Sequence, residues 1–274
     1  MRGRESMFTR GFRALTGAVL ITWLVLPLIP LGIWSFARGW YFPDLLPRNW
    51  SLRAWEYTLS DTAGVIECLW LTIGISLAAT FLSIIVGVPA GRALGLYRFR
   101  GKELVELMIL APTIVPGIAV VLGIHSVFIA LGLNNTVGGV IIVHLIPTLP
   151  YMVLVMSGIF ANYDPSYEAQ ARSLGASALE TFWYITVPAI MPGVIVGGLF
   201  AFLVSWSQYI LTLLIGGGKV VTLPLLLFNF ATSNRNDITG AIGMIYILPG
   251  ILILLMTARH LSGRSSAVGG FGTI

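Results

Sequence analysis

Side chains able to do covalent chemistry are few in this chain, and they are scattered. The single cysteine, Cys68, opens an apolar run and offers neither a disulfide framework nor a metal cluster. No His-Glu, Cys-Cys or Ser-His-Asp constellation falls in a setting that supports catalysis. The nearest approach to a phosphate loop, Gly216-Gly-Gly-Lys-Val-Val-Thr222, lacks the first glycine at the required spacing and has Val220 where Ser or Thr belongs. It reads as a flexible turn. More informative are polar side chains set within apolar runs: His125, His144, Ser205, Ser207, Gln208 and Tyr209. Such groups either face a bundle interior or cavity or hydrogen-bond between helices. Gln208, close to Trp206 and Tyr209, is the leading candidate for lining a polar pathway. Ser205 and His125 are further candidates, with interhelical bonding as the competing account of His125 and the serines. No acidic residue lies inside these runs, so no carboxylate site for a polycation is visible. Glu67 stands at an edge.

The elements that must carry these residues are long and apolar. Of 274 residues, 57% are hydrophobic and 10% charged, with mean hydropathy +0.90, against roughly 25% charged residues in an ordinary globular chain. No soluble domain can hide that much apolar surface. Apolar stretches at about Leu15–Phe36, Cys68–Ala90, Leu104–Leu131, Val137–Phe160, Ile185–Ile215 and Ala241–Ala258 each approach or exceed the ~20 residues needed to cross a bilayer. The expected fold is therefore all-α and polytopic, with six transmembrane helices in a domain spanning residues 15–260. The first stretch is too long for a signal h-region, and no A-x-A-like cleavage site follows it.

Lysine and arginine orient the spans. The N-terminal arginines Arg2, Arg4, Arg10 and Arg13, then Arg92, Arg98, Arg100 and Lys102, then Arg172, then Arg259 and Arg264 fall on alternate connections. That pattern predicts a cytoplasmic N-terminal segment at 1–14, a cytoplasmic tail at 261–274, and a multi-pass membrane protein. The formal charge of +5 is thus explained by membrane topology, which argues against nucleic acid as a partner. Proline pairs at Pro112 and Pro116, Pro147 and Pro150, and Pro188 and Pro192 fall in three consecutive spans. Each proline removes a backbone donor. Breaks at membrane depth are tolerated where protein or a water-filled cavity satisfies the freed groups, so the pairs favour a bundle built around a pathway, although proline is also common in membrane helices generally.

Between the fourth and fifth spans lies a polar loop, residues 163–182, with local helix signals. Asp164 suits an N-cap with Pro165 at the first helical position, and Gly175 can adopt the left-handed conformation that closes a helix. Ser177 and Glu180 have capping-box spacing, so a second helix is expected at once. On the first helix Tyr167, Ala171 and Leu174 share a face, while Glu168 and Arg172 have i, i+4 ion-pair spacing. A helix this short is unstable alone and needs a surface to dock against.

This loop resembles the cytoplasmic Glu-Ala-Ala loop of permeases in binding-protein-dependent ABC importers: Glu168-Ala-Gln-Ala-Arg-Ser-Leu-Gly175, then Ile185-Thr-Val-Pro188. Counted back from Gly175, the family's usual glutamate falls on Ala169, and Val187 replaces a leucine. The resemblance extends over about Ile66 to Arg259. The flanking segments Leu110-Ala-Pro-Thr-Ile-Val-Pro-Gly117 and Ser205-Trp-Ser-Gln-Tyr209 look most like the branch serving polyamines, iron, thiamine and phosphonates. The resemblance implies a coupling helix and partner ABC ATPase subunits that bind ATP and Mg. It further implies a second permease, a periplasmic or lipid-anchored solute-binding protein, and no catalysis by this chain itself.

On that reading Tyr167, Ala171 and Leu174 dock as apolar knobs, Glu168 and Arg172 form the polar rim, and Gly175 sets the elbow angle. One exposed ion pair is worth about 0–1 kcal/mol, whereas driving an equilibrium from 1:99 to 99:1 takes about 5.5 kcal/mol. The coupling is therefore assigned to the whole elbow. Two other classes compete. A membrane-embedded enzyme calls for clustered intramembrane acidic or metal-binding residues, and a channel subunit for a repeated filter or charged ring. Neither pattern is present in the sequence.

Overall fold

The computed structural model describes residues 7–41 and 43–264. Arg2 and Arg4 of the expected N-terminal segment, and the expected tail from 265 onward, lie outside them. Among the described residues thirteen α-helices follow one another: α1 (Met7–Val25), α2 (Leu28–Phe36), α3 (Arg53–Thr58), α4 (Val65–Leu96), α5 (Lys102–Ile114), α6 (Gly117–Ala130), α7 (Val137–Ala161), α8 (Ser166–Ser173), α9 (Ala178–Thr181), α10 (Val187–Trp206), α11 (Ile210–Gly216), α12 (Leu223–Thr232) and α13 (Asn236–Arg264). A five-residue π-turn, Phe182–Thr186, joins α9 to α10. Among the described residues the β-structure is one isolated bridge, Ala37 to Trp50.

Among the described residues three continuous helical runs are long and apolar enough to cross a membrane: Val65–Leu96, Val137–Ala161 and Ala178–Trp206. Two bent pairs bring the total to five. The stretch expected at Leu15–Phe36 bends by 48° between Leu15–Trp23 and Leu28–Phe36, and the stretch expected at Leu104–Leu131 turns by 105° between Lys102–Ile114 and Ile118–Ala130. Pro27 and Pro116 stand at these breaks, where a missing N–H and a fixed φ favour a stop. The expected run Ile185–Ile215 is likewise broken, at 207–209. By contrast Pro112, Pro147, Pro150 and Pro192 are carried inside helices.

The chain forms two compact units, residues 1–66 with 227–274, and residues 67–226. In the first, α13 lies close against α2. A Cβ on Gly240 would come within 2.7 Å of the Leu31 carbonyl oxygen and the Ser35 nitrogen, so only glycine permits that approach. In the second, α4, α7 and α10 pack together by the same device. Gly87, Gly91 and Gly95 form one stripe of α4, and a Cβ on each would strike Met152, Met156 and Phe160 of α7, as close as 2.4 Å at Gly91. Small residues let helix backbones approach where lipid offers no hydrophobic driving force. Ser83 and Thr148 share a 2.8 Å hydrogen bond across the same contact. Met152, Met156, Phe160 and Ile190 fill the core beside it. Large apolar side chains such as Leu77, Phe81 and Ile85 on α4 and Ile195 and Phe200 on α10 remain exposed. An apolar exterior of this extent belongs against lipid or other subunits.

Candidate functional site

Two places in the second unit gather polar groups in ways its packing alone does not require. The first is the elbow. Asp164 accepts from the Ser166 amide at 2.9 Å and its hydroxyl at 2.7 Å, starting α8. These bonds hold the Asp164 carboxyl below its ordinary range. At the other end Gly175, at φ +94°, closes the helix. Its N–H donates to the Arg172 carbonyl at 3.0 Å, and the Ala176 N–H donates to the Ala171 carbonyl at 3.1 Å, which is the paired bonding of a Schellman end. Ser177 and Glu180 then form the full capping box of α9: the Glu180 amide donates to Ser177 Oγ at 3.2 Å and the Ser177 amide to Glu180 Oε2 at 2.7 Å.

Glu168 requires a correction. It is neither at the rim nor paired with Arg172. It is 8% exposed and accepts from Arg92 Nη2 of α4 at 2.7 Å, from Thr186 Oγ1 of the π-turn at 2.8 Å, and from Tyr163 Oη at 3.1 Å. The cause is helical geometry. With 100° between successive residues, the face that turns Tyr167 outward turns Glu168 inward, where a carboxylate needs a cation and several donors. Arg92 also lies over the Phe160 ring, 5.7 Å from its centroid. The guanidinium's hydrogen bond is the main reason the Glu168 carboxyl is held below its ordinary value, against an opposing contribution from burial. Arg172 is exposed and makes no ion pair among the described residues. Tyr167 is 58% and Leu174 89% exposed, with Ala171 half-buried between them. Sequence reading missed the anchoring roles of Arg92, Tyr163 and Thr186. The one signal was a lone arginine, Arg92, near the end of an apolar helix.

The second place is the break after α10. Residues 207–209 leave the helix, and α11 resumes at Ile210. His144 of α7 spans the interruption, its Nδ1 2.8 Å from Ser205 Oγ and its Nε2 3.0 Å from Thr212 Oγ1. Thr212 donates to the Gln208 carbonyl at 3.2 Å. The assignment that uses every hydrogen once has Ser205 donating to Nδ1 and Nε2–H donating to Thr212. Gln208 and Tyr209, with Ser207, Pro112 and Pro147, line a cavity of about 330 Å³. The other sequence candidates lie elsewhere. Ser205 is buried in the His144 bond, and Trp206, 3% exposed, stacks on Phe202. His125 donates to Asn134 Oδ1 at 3.2 Å. In the first unit a separate cavity of about 320 Å³ is lined by Arg38, Arg53, Arg235, Asp237, Trp34 and Trp40.

A bundle with an apolar exterior, a helix broken beside a mostly apolar cavity, and a capped polar elbow at 163–182 fit a polytopic membrane protein. The chain belongs to the family of binding-protein-dependent transport system inner membrane components, whose model matches residues 83–266. It is 29% identical over 253 residues to the putrescine transport system permease protein PotI of Escherichia coli K12, covering 89% of this chain and 88% of PotI. It is 24% identical over 239 residues to the spermidine/putrescine transport system permease protein PotC of Haemophilus influenzae, covering 87% and 92%. To the trehalose transport system permease protein SugB of Mycobacterium tuberculosis it is 27% identical over 255 residues, covering 87% and 93%. Its fold matches, with TM-score 0.71 at 20% identity over 94% of this chain and 98% of the other, a chain in the crystal structure of a bacterial ABC transporter that imports the acidic polysaccharide alginate. The protein is accordingly the permease subunit of an ABC importer, a multi-pass membrane component and not an enzyme.

Proposed function

We propose that this permease has six spans with both termini cytoplasmic, that α8 and α9 form its ATPase-docking elbow, and that the cavity at the α10 break lies on the solute pathway. Counting α1 with α2, α5 with α6, and α10 with α11 as one span each, together with α4, α7 and α13, gives the six. ABC ATPase subunits supply ATP and Mg binding from the cytoplasmic side, a second permease completes the pathway, and a solute-binding protein delivers cargo. The connection bearing Asn229, Asn234, Arg235 and Asp237 faces that protein. The observation that carries the docking reading is the elbow's two-sidedness: Glu168 is clamped inward while Tyr167 and Leu174 project outward. In a water-facing loop, exposed apolar side chains on a rigidly capped helix suit a protein partner.

The cargo is a small polar solute, with a polyamine-like cation as the specific candidate. PotI and PotC are named for such solutes, and Gln208, Ser207 and Tyr209 provide hydrogen-bonding groups in an otherwise apolar cavity. Uptake into vesicles carrying the full transporter, tested with putrescine and trehalose and the cognate binding protein, decides the cargo. Putrescine uptake is expected, and transport of the sugar alone overturns the assignment. For the elbow, Leu174→Glu with Tyr167→Ala is expected to abolish co-purification of the ATPase while the permease still inserts. Gly175→Val is expected to uncouple ATP hydrolysis from transport, and full transport by that variant at normal expression overturns the elbow's role.

A further inference from the structure

Glu168 is a point at which three separate parts of the second unit meet. Arg92 comes from the last turns of α4, Tyr163 from the connection leaving α7, and Thr186 from the π-turn that leads into α10. Both Glu168 oxygens are used. Oε2 takes the guanidinium, and Oε1 takes the two hydroxyls. The Arg92–Glu168 contact links residues 76 apart in sequence, and the Arg92 side chain is 29% exposed. Charge-assisted hydrogen bonds are short and directional, so a carboxylate held this way moves with its partners. Tyr167, on the outer face of α8, is 58% exposed.

We propose that the Arg92–Glu168–Thr186 cluster is a mechanical joint that passes displacement of α8 to α4 and α10 together, making Arg92 and Thr186 positioning residues for transport although neither lies on the exposed face of the elbow. This rests on the reading of α8 and α9 as the docking elbow. The cluster suits transmission because it ties α8 to two helices whose own contacts are tight. The glycine stripe of α4 fits against α7, and Gly193 and Gly197 of α10 fit against Ile159 and Met152 of the same helix. A push on Glu168 therefore meets a packed three-helix body and not one loose helix.

The test uses the complete transporter in proteoliposomes with solute-loaded binding protein, and three readouts: ATPase retained on co-purification, ATP hydrolysis, and solute moved per ATP. R92Q and T186V are expected to retain the ATPase and its hydrolysis but to lower solute moved per ATP, by about tenfold or more for R92Q, the factor that loss of a charge-assisted hydrogen bond represents. T186S, which keeps the hydroxyl, is expected to restore T186V. The reversed pair R92E/E168R is expected to recover transport that R92E alone loses, which ties the effect to the ion pair, while the retained ATPase and hydrolysis separate transmission from a structural role. Wild-type transport per ATP in both R92Q and T186V overturns the joint. Loss of the ATPase from R92Q and T186V also overturns it, by showing that the cluster builds the docking surface and does not transmit from it. If R92Q fails to insert, T186V decides alone. The docking reading fails separately, if Leu174→Glu with Tyr167→Ala keeps the ATPase.

Discussion

Glu168 shows what a single residue's surroundings change. As an exposed helix-surface partner of Arg172 it would be worth under about 1 kcal/mol. Buried and bound by Arg92, Tyr163 and Thr186, it belongs to the class in which removing one partner costs about 3–5 kcal/mol, reduced here because Arg92 keeps contact with water. The pH dependence follows from the depressed carboxyl, whose ordinary value is 4.5. A group whose folded value lies below its unfolded value contributes stability that is present in full above the unfolded value and is lost as pH falls through the folded one. Amide exchange of α8 is therefore expected to be flat across neutral pH in this respect and to accelerate only in acid below 4.5. E168Q is expected to remove that acid step. His144 makes the complementary case in the spans. H144A adds a cavity and removes the acceptor of the buried Ser205 hydroxyl, at about 1–3 kcal/mol for an unsatisfied group, while Thr212 keeps its bond to the Gln208 carbonyl. A lowered melting temperature of the purified permease is expected, and an unchanged one would mean that the α10 break holds itself.

Among the elements, two glycines separate two kinds of constraint. At Gly91 an added side chain meets the Met156 side chain and the Ser157 backbone nitrogen, at 2.4 and 2.9 Å. G91V is expected to pry α4 from α7 and lower folded yield in detergent. At Gly175 there is open space, and the constraint is the positive φ alone. G175A is therefore expected to insert normally, with a penalty of about 1 kcal/mol felt at the elbow. The same contrast explains what could be read from sequence. Asp164, Gly175, Ser177 and Glu180 act on neighbours within a few positions, so spacing alone revealed the elbow. Apolar length revealed α4 and α7 for the same reason. The Arg92–Glu168 bond joins distant residues, and no local pattern announces it. The spacing of Gly87, Gly91 and Gly95 was present in the sequence, but only the facing Met152, Met156 and Phe160 distinguish it from the chain's other glycines. The interruption of the fifth apolar stretch at 207–209 was not legible, because Ser207, Gln208 and Tyr209 break the helix without a proline or glycine.

For the whole molecule, membership of the permease family and the exposed apolar exterior agree that the chain works inside an assembly. Its described residues contain no cluster of three metal-ligating side chains, and relatives of similar length serve cargoes as different as putrescine and trehalose. One frame thus serves different solutes, and substitutions at Gln208 or Tyr209 are expected to change which solute is moved more than how much ATP is used. The π-turn sets the angular relation between the elbow and the spans. Because the Val187 N–H reaches back five residues to the Phe182 carbonyl, the Phe182–Thr186 turn holds one residue more than an α-helical turn would. Removing one residue there would let α9 run into α10 as ordinary helix, rotating everything before it by about 100° around the α10 axis. Such a deletion would retain every helix and cap yet swing Tyr167 and Leu174 away from their present bearing, so the π-turn works as an angular offset written into the chain by a single inserted position.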